Sequence, residues 1–210
     1  MKIGIIGAGN IGANAARLFA RAGHEVAISN SRGPDSLREL VSEIGPKAKA
    51  LTPDEAAAYG EIILLAVPWR YPEALPKPEL VRGKIVIDAM NAYTSDGEVF
   101  DLNGSTSSEE TLKRLNGARL VKAFNTIYYR SLATEGRTNA PIEDRQAIFV
   151  AGNDEEAKAI VMKLIEQIGF APVDTGSLRD GGRRQEPGSP IYNRPLTGRQ
   201  AKAELARYAA

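Results

Sequence analysis

The feature that most constrains the fold is a glycine-rich turn near the N-terminus, between a strand-like and a helix-like segment. Residues 3–6 read Ile-Gly-Ile-Ile, a run typical of a strand buried on both faces of a parallel sheet. Residues 7–12 match the spacing G-x-G-x-x-G, and apolar residues recur at helical intervals over residues 10–22. A strand, this turn and a helix in that order predict a dinucleotide-binding unit.

Each glycine of this turn has its own expected task. Gly7 permits the tight turn, Gly9 lets the backbone approach a pyrophosphate, and Gly12 lets helix and strand pack closely. The first N–H groups of the helix lack partners within the helix, so we expect them to bind the phosphates. A glycine-rich turn without a ligand is the alternative interpretation. The predicted phosphate-binding residues are Gly7, Ala8, Gly9, Asn10, Ile11 and Gly12.

The segment after the second predicted strand, residues 25–29, indicates which dinucleotide binds. NAD-binding proteins usually carry an acidic residue there, which bonds the ribose hydroxyls. This chain has Asn30, Ser31 and Arg32 instead. A guanidinium can pair with the 2′-phosphate of NADP, which an acid would repel. The predicted cofactor is therefore NADP(H), and an ordinary solvated loop position is the alternative for Arg32.

Short β-branched runs alternate with helical stretches along most of the chain. This alternation predicts an α/β fold with a Rossmann-type, doubly wound, mainly parallel sheet and a small C-terminal extension. We expect residues 1–125 to form the NADP-binding domain and residues 126–210 to complete the sheet, the acceptor site and a dimer contact. Residues 93–110 are predicted to be a long polar loop, and residues 126–145 are weakly patterned. Strands are predicted at 3–6, 25–29, 62–67, 84–88, 119–123, 146–151 and 170–173, and helices at 10–22, 36–44, 111–115, 155–168 and 197–208, with a further helix beginning at a capping box at 52–55.

The residues that follow the other strands are candidates for the nicotinamide pocket, because open parallel sheets bind ligands beyond the carboxyl ends of their strands. We expect Asn91 and Asn125 to bond the nicotinamide carboxamide or a substrate. An Asx turn is the alternative for Asn125, and a core or loop anchor is the alternative for Trp69. Asp88 is predicted to serve as a turn or cap. The other pocket candidates are Ala66, Val67, Pro68 and Trp69.

Composition excludes several kinds of chemistry. The 210 residues contain no Cys and one His, which rules out thiol nucleophiles, disulfides and multi-His metal centres, so we expect no metal site. The apolar runs are too short to cross a membrane. A net charge of +1 argues against nucleic-acid binding as the main role. We therefore expect a cytoplasmic protein that acts on a small molecule or cofactor.

No general acid or base can be assigned from the sequence, so the catalytic residues stay unknown. The single histidine, His24, is predicted at the amino end of the sheet, and Tyr128 and Tyr129 have no lysine four residues later. Reduction of a ketone to an alcohol generally needs a group that donates a proton to the oxygen. Hydride transfer between two stacked rings depends mainly on orientation and exclusion of water. The sequence thus favours a flavin-like or deazaflavin acceptor.

The charge of the chain is uneven. Residues 175–210 carry a charge of +4 and the remainder carries −3. The stretch 180–184, Asp-Gly-Gly-Arg-Arg, is predicted to be flexible, and Arg183 and Arg184 are candidates for binding an anionic acceptor. A solvated loop or a contact across a homodimer is the alternative. Three prolines between positions 187 and 195 favour an ordered lid or dimer arm.

Five segments, spread over nearly the whole chain, carry a resemblance to a known family. They are Gly-Ile-Ile-Gly-Ala-Gly-Asn-Ile-Gly (4–12), Asn-Ser-Arg-Gly-Pro (30–34), Ala-Val-Pro-Trp (66–69), Lys-Ala-Phe-Asn-Thr (122–126) and Gly-Ser-Pro-Ile-Tyr-Asn (188–193). Through them the chain resembles the NADP oxidoreductases called coenzyme F-420-dependent, and within that family the bacterial branch, whose acceptor is not established.

The resemblance implies hydride transfer between NADPH and the deazaflavin coenzyme F-420, with a flavin as the other expected acceptor. Two further interpretations stay open. One is a redox sensor that binds NADPH without turnover. The other is a reductase of a small keto or imino substrate, which would need a proton donor that the sequence does not reveal.

Overall fold

The computed structural model describes residues 1–207, which form one eight-stranded sheet with helices on both faces. The strands are β1 (Lys2–Ile6), β2 (Glu25–Ser29), β3 (Ala48–Ala50), β4 (Ile62–Leu65), β5 (Ile85–Asp88), β6 (Arg119–Ala123), β7 (Ala147–Gly152) and β8 (Ala171–Gly176). The α-helices are α1 (Asn10–Arg21), α2 (Arg38–Ile44), α3 (Pro53–Tyr59), α4 (Pro78–Val81), α5 (Ser107–Arg114), α6 (Tyr129–Thr134), α7 (Glu155–Gln167), α8 (Asp180–Arg184) and α9 (Gly198–Arg207). Three short 3₁₀ helices span Pro34–Leu37, Pro72–Ala74 and Ile142–Asp144.

The strand order β3-β2-β1-β4-β5-β6-β7-β8 confirms the predicted α/β, Rossmann-type sheet. Neighbouring strands are parallel except β6 and β7, which are antiparallel. The direction in which successive strands are added to the sheet reverses at β1, because β2 and β3 lie on one side of β1 and β4 lies on the other. The crevice in which such sheets bind ligands therefore lies beyond the carboxyl ends of β1 and β4.

Two apolar layers, one on each face of the sheet, hold the helices in place. One layer joins α1 and α7 to the sheet around Phe19 and Phe124, whose rings meet edge-to-face with centroids 6.1 Å apart. The other layer joins α3 and the segment after β4 around Ile63, Leu65 and Trp69. Alternate side chains of a strand point to opposite faces, so the apolar run of β4 supplies both layers.

Capping residues decide where two of the helices begin. The predicted capping box of α3 is present, with Thr52 accepting from Glu55 N and the Glu55 side chain bonded to Thr52 N. The predicted loop over residues 93–110 is wrong at its end. Thr106 and Glu109 form a second capping box there, and it begins α5 inside that range.

The C-terminal part is more regular than its sequence suggests. Residues 180–184, predicted to be flexible, form the helix α8 instead. Gly181 and Gly182 are buried, and a Cβ on Gly181 would lie 2.7 Å from the Thr175 carbonyl carbon. Gly181 therefore marks close packing against the sheet rather than flexibility. The predicted last helix is present as α9, and Tyr208, its predicted end, lies outside the described residues.

Candidate functional site

The glycine turn after β1 borders the crevice and is shaped by close backbone contacts. Gly7 has a φ of +106°, and a Cβ there would lie 2.3 Å from the Ala66 carbonyl oxygen. A Cβ on Gly12 would lie 1.9 Å from the Gly7 carbonyl oxygen. A Cβ on Gly9, by contrast, would meet nothing within 4 Å. Packing therefore requires Gly7 and Gly12, whereas Gly9 leaves an exposed surface that a ligand can approach closely.

The N-terminus of α1 presents backbone N–H groups to this exposed surface. The N-cap residue of this helix, Gly9, has no side chain that could accept from the free N–H groups, and the first turn of the helix carries no acidic residue. Four other helices are capped by side chains, α3 by Thr52, α5 by Thr106, α7 by Asp154 and α9 by Thr197. The uncapped N–H groups and the helix dipole favour an anion at this end of α1. Around the surface lie the half-buried Ala8 and Ile11 and the exposed Asn10.

Two exposed polar side chains follow β2, next to the glycine turn. Gly7 N donates to Ser29 O at 3.0 Å, which joins the turn to the end of β2. Asn30 Oδ1 accepts from Arg32 N at 2.9 Å, so this side chain shapes the loop that carries Ser31 and Arg32. Ser31 and Arg32 stay exposed. The sequence motif thus divides into one loop-forming residue and two residues available to a ligand.

The charge around Arg32 suits a phosphate. The acid closest to it in sequence, Asp35, pairs with Arg38 at 2.6 Å. Within residues 1–207, Arg32 has no acidic side chain close enough for an ion pair. A guanidinium in this position can bind a phosphate in two parallel hydrogen bonds.

The segment after β4 divides into a crevice-facing part and a buried anchor. Ala66 and Val67 are half-buried and Pro68 is exposed, whereas Trp69 is only 7% exposed. Trp69 Nε1 donates to Ser107 O and to Thr111 Oγ1, each at 3.1 Å. These contacts tie the segment to α5 and favour the loop-anchor interpretation of Trp69 over contact with a cofactor. The crevice side of this segment is formed by Ala66, Val67 and Pro68.

A buried ion pair lies beneath the ends of β5 and β6. Asp88 and Lys122 are opposite each other in the sheet register, and Lys122 Nζ lies 3.3 Å from Asp88 Oδ2. Asp88 Oδ1 also accepts from Met90 N at 2.9 Å, which is the predicted turn. Lys122 Nζ donates to Met90 O at 2.6 Å, and Ser108 Oγ donates to Asp88 Oδ2 at 2.6 Å. The pair therefore fixes the backbone that leads to Asn91, a role that the sequence indicates only through a lysine within an apolar strand.

The two predicted asparagines bond to each other at the edge of the sheet. Asn91 Nδ2 donates to Asn125 O at 3.0 Å, and Asn125 Nδ2 donates to Asn91 Oδ1 at 3.1 Å. Asn125 Nδ2 also donates to Gln185 O at 2.8 Å. Phe124 has a φ of +67°, a strained conformation that turns the chain just before Asn125. The structure thus brings Asn91 and Asn125 together, although 34 positions separate them.

The segment after α8 returns to this edge and covers the ends of β5 and β6. Tyr192 Oη lies 3.2 Å from Asn91 Nδ2 and 3.1 Å from Tyr93 Oη, and Asn193 N donates to Thr126 O at 3.0 Å. Sequence reasoning missed Tyr192 and Tyr93, because no local signal pairs residues 99 positions apart.

Four buried side-chain atoms have no hydrogen-bond partner within residues 1–207, and all four lie on segments at this edge. Unpaired buried polar atoms are rare in folded proteins and call for a partner such as a ligand. Their position gives the carboxyl edge of the sheet unused hydrogen-bonding capacity where a nicotinamide carboxamide or a substrate could bind. The atoms are Arg70 Nε, Asn125 Oδ1, Gln185 Oε1 and Ser189 Oγ.

The two candidate acceptor-binding arginines lie on α8. The Arg183 guanidinium donates to the Gly104 carbonyl, and Thr106 Oγ1 donates to Leu178 O at 3.1 Å. These bonds hold α8 against the loop before α5, so Arg183 is bound to the protein surface rather than placed on a mobile lid. Arg184 is half-buried on the same helix.

A groove opens beside α6 at the same edge of the sheet. Since β7 runs antiparallel to β6, the start of β7 lies next to the carboxyl end of β6. Two adjoining cavities of about 310 and 260 Å³ share Ser131, Gln146 and Pro195 as lining residues. Tyr128 and Asn193 line the smaller cavity, and Asn193 directly follows Tyr192 in the sequence. The groove is large enough to admit part of a second substrate, and nothing in the sequence indicated it.

The opposite, amino edge of the sheet holds the only histidine. His24 Nε2 lies 2.9 Å from Gln167 Oε1, and burial lowers the pKa of His24. Its position agrees with the predicted structural role. In the described part of the chain, residues 1–207, no cluster of His, Asp and Glu side chains could hold a metal ion. The helices of that same part are all too short or too polar to span a membrane.

The chain is similar in sequence to known proteins. Residues 2–92 match a family model described as NADP oxidoreductase, coenzyme F420-dependent. The F420-dependent NADP reductase of Methanocaldococcus jannaschii is 31% identical over 152 residues, which cover 67% of this chain and 66% of that protein.

Longer proteins and a solved structure are also similar. The metalloreductase STEAP3 of Rattus norvegicus is 28% identical over 179 residues, which cover 84% of this chain. The chain spans only about a third of that protein, 34% of its length. The crystal structure of a hypothetical protein, SMa0349, from Sinorhizobium meliloti is 34% identical with a TM-score of 0.81, covering 94% of this chain and 95% of that one. The fold therefore recurs over almost the whole length of this chain.

Proposed function

Because the chain belongs, through residues 2–92, to the family of coenzyme F420-dependent NADP oxidoreductases, we propose that it is an enzyme that transfers a hydride between NADPH and a flavin-like or deazaflavin ring. The observation that carries this proposal is the pairing of an open glycine turn with an exposed, acid-free Arg32 at the neighbouring strand end. When bound, NADPH supplies the hydride from its nicotinamide ring. The protein supplies binding, orientation and exclusion of water.

The pyrophosphate is held by the first turn of α1. Gly9 lets the phosphates approach the backbone, and the N–H groups of Asn10, Ile11 and Gly12 are free to donate to them. The residues present therefore fit a dinucleotide. Ser31 and Arg32 bind the 2′-phosphate and give the preference for NADP over NAD.

The nicotinamide end of the cofactor lies along the ends of β4, β5 and β6. The backbone of Ala66 to Pro68 borders this path, and Asn125 Oδ1 can accept from a carboxamide N–H. The groove beside α6 would give a second ring access to the nicotinamide, and residues 126–207 would then complete the acceptor site. The acceptor is a small molecule or cofactor, and coenzyme F420 and flavins are its two expected forms.

Stopped-flow oxidation of NADPH by a panel of acceptors tests this function. The panel contains FMN, FAD, coenzyme F420, a quinone and a ferric chelate, the last because one relative is a metalloreductase. We expect rapid NADPH oxidation by a flat-ring acceptor and much slower oxidation by the ferric chelate. Tight NADPH binding with no oxidation by any acceptor would refute the proposed function and favour a redox sensor.

A further inference from the structure

Two tyrosine hydroxyls meet at the carboxyl edge of the sheet, beside the asparagines that follow β5 and β6. Tyr93 Oη lies 3.1 Å from Tyr192 Oη, and Asn91 Nδ2 lies 3.2 Å from the same Tyr192 oxygen. With both neighbours donating, the Tyr192 oxygen accepts two hydrogen bonds. The Asn193 side chain is a third polar neighbour of the Tyr192 hydroxyl. Tyr192 thus has a proton to give and two donors that would stabilise its oxygen afterwards.

The backbone around Tyr192 holds this hydroxyl in place. Ile191 is 2% exposed and packs in the apolar cluster under β7 and β8. Tyr192 N donates to Ser189 O at 3.1 Å, and Asn193, with a φ of +53°, donates from its N–H to Thr126 O at 3.0 Å. The backbone is therefore held in place on both sides of Tyr192. A group that must meet a substrate in one orientation needs such support.

Tyr192 carries its proton at neutral pH. Burial raises the pKa of Tyr192 above its usual range. The proton is therefore present when a substrate binds. Its transfer depends on the negative charge that develops on the substrate and on the neighbouring donors that hold the phenolate.

We propose that Tyr192 is a catalytic residue that donates a proton to the acceptor, and that the acceptor class is planar rings with an electron-poor C=N bond. This inference rests on the proposed hydride transfer from NADPH. The ring accepts a hydride at one end of its conjugated system, and the π electrons move to the ring nitrogen. That nitrogen takes the proton from Tyr192 Oη. The resulting phenolate is held by Tyr93 and Asn91 and regains a proton from water, so NADPH plus one proton gives NADP⁺ and the reduced ring.

Cyclic imines belong to this class, as do flavins and deazaflavins. The same site should therefore reduce a simple flat cyclic imine, an activity for which the sequence reveals no donor. A pyridinium-type ring such as N-methylacridinium is the matched comparison, because it accepts a hydride without needing a proton. The two probes separate proton donation from hydride transfer.

The experiment measures NADPH oxidation by 3,4-dihydroisoquinoline and by N-methylacridinium, each corrected for the reaction without protein. Tyr192→Phe is compared with wild type and with Tyr59→Phe. Tyr59 bonds to Glu25 at the amino edge of the sheet and is the control. We expect Tyr192→Phe to lower kcat with the imine by about a hundredfold or more, the usual range for loss of a general acid. Its acridinium rate and its Kd for NADPH should stay within about twofold of wild type, and Tyr59→Phe should change neither rate.

Four outcomes would overturn the inference. A wild-type protein that reduces acridinium but not the imine contradicts the proton donor and leaves hydride transfer intact. An equal loss of both rates in Tyr192→Phe gives Tyr192 a structural role only, and an unchanged imine rate gives it no role. A wild-type protein that binds NADPH but accelerates neither reaction refutes the proposed hydride transfer itself.

Discussion

Replacement of Arg32 by alanine should weaken NADPH binding far more than NADH binding. The two cofactors differ only in the 2′-phosphate, and Arg32 is the exposed cation beside the glycine turn, with the neighbouring Asp35 already paired to Arg38. A hydrogen bond between charged groups contributes about 1.5–3 kcal/mol. Because the guanidinium is exposed and solvent screens it, we expect the lower end of that range, which raises the Kd for NADPH about tenfold.

Fluorescence titration of both cofactors at one ionic strength measures the effect. Arg21→Ala is the control, since it removes an exposed arginine at the end of α1 far from the glycine turn. We expect Arg21→Ala to change the Kd for NADPH by less than about twofold, and added salt to reduce the loss seen in Arg32→Ala. The reasoning is refuted if Arg32→Ala weakens NADPH and NADH equally, or if Arg21→Ala has the same effect.

Three other predictions concern the turn, the buried pair and the histidine. Gly12→Ala should lower the unfolding free energy by about 1–3 kcal/mol, because the added Cβ meets a backbone carbonyl. Gly9→Ala should keep the wild-type Tm and lose NADPH affinity, because its Cβ meets no protein atom. Calorimetry measures the stability of the two variants, and titration measures their affinity for NADPH. Lys122→Met should lower the unfolding free energy by about 3–5 kcal/mol, because it leaves Asp88 buried without its cation. Urea unfolding of the double variant Lys122→Met, Asp88→Asn should show that part of the lost stability is recovered. A double variant as unstable as Lys122→Met would contradict the pairing. Burial lowers the pKa of His24 below its unfolded value, so its neutral form stabilises the fold above about pH 6.5 and this contribution falls as the pH drops through the folded pKa. Wild type should therefore lose more stability than His24→Gln between pH 7 and pH 5, and parallel curves would argue against it.

Local sequence signals were sufficient for the part of the fold in which we propose that the dinucleotide binds. The apolar run of β1, the glycine turn and the periodicity of α1 each depend on residues close together in sequence, and the structure places all three as predicted. The capping box at Thr52 is likewise a four-residue signal. The exposure of the segment after β2 was also predictable from the sequence, because the glycine turn indicates where the neighbouring strand ends. Ser31 and Arg32 are exposed there.

The acceptor side depended on contacts between residues distant in the chain. Asp88 and Lys122 are 34 positions apart, and Asn91 and Tyr192 are 101 positions apart, so no window of sequence contains either pair. Composition was misleading at residues 180–184, where two glycines indicated flexibility. Gly181 is instead required because α8 packs closely on the sheet there. Tertiary packing, which periodicity does not encode, therefore decided this region.

Transfer of label from NADPH tests the central claim of direct hydride transfer most directly. Two samples of NADPH, each with deuterium on one face of nicotinamide C4, would be oxidised by coenzyme F420 in unlabelled water, and the reduced deazaflavin analysed by mass spectrometry. A fixed nicotinamide in the crevice presents one face only to the second ring. We expect deuterium on the ring carbon of the acceptor from one sample and none from the other. Deuterium from neither sample, or equally from both, would contradict direct transfer within this site.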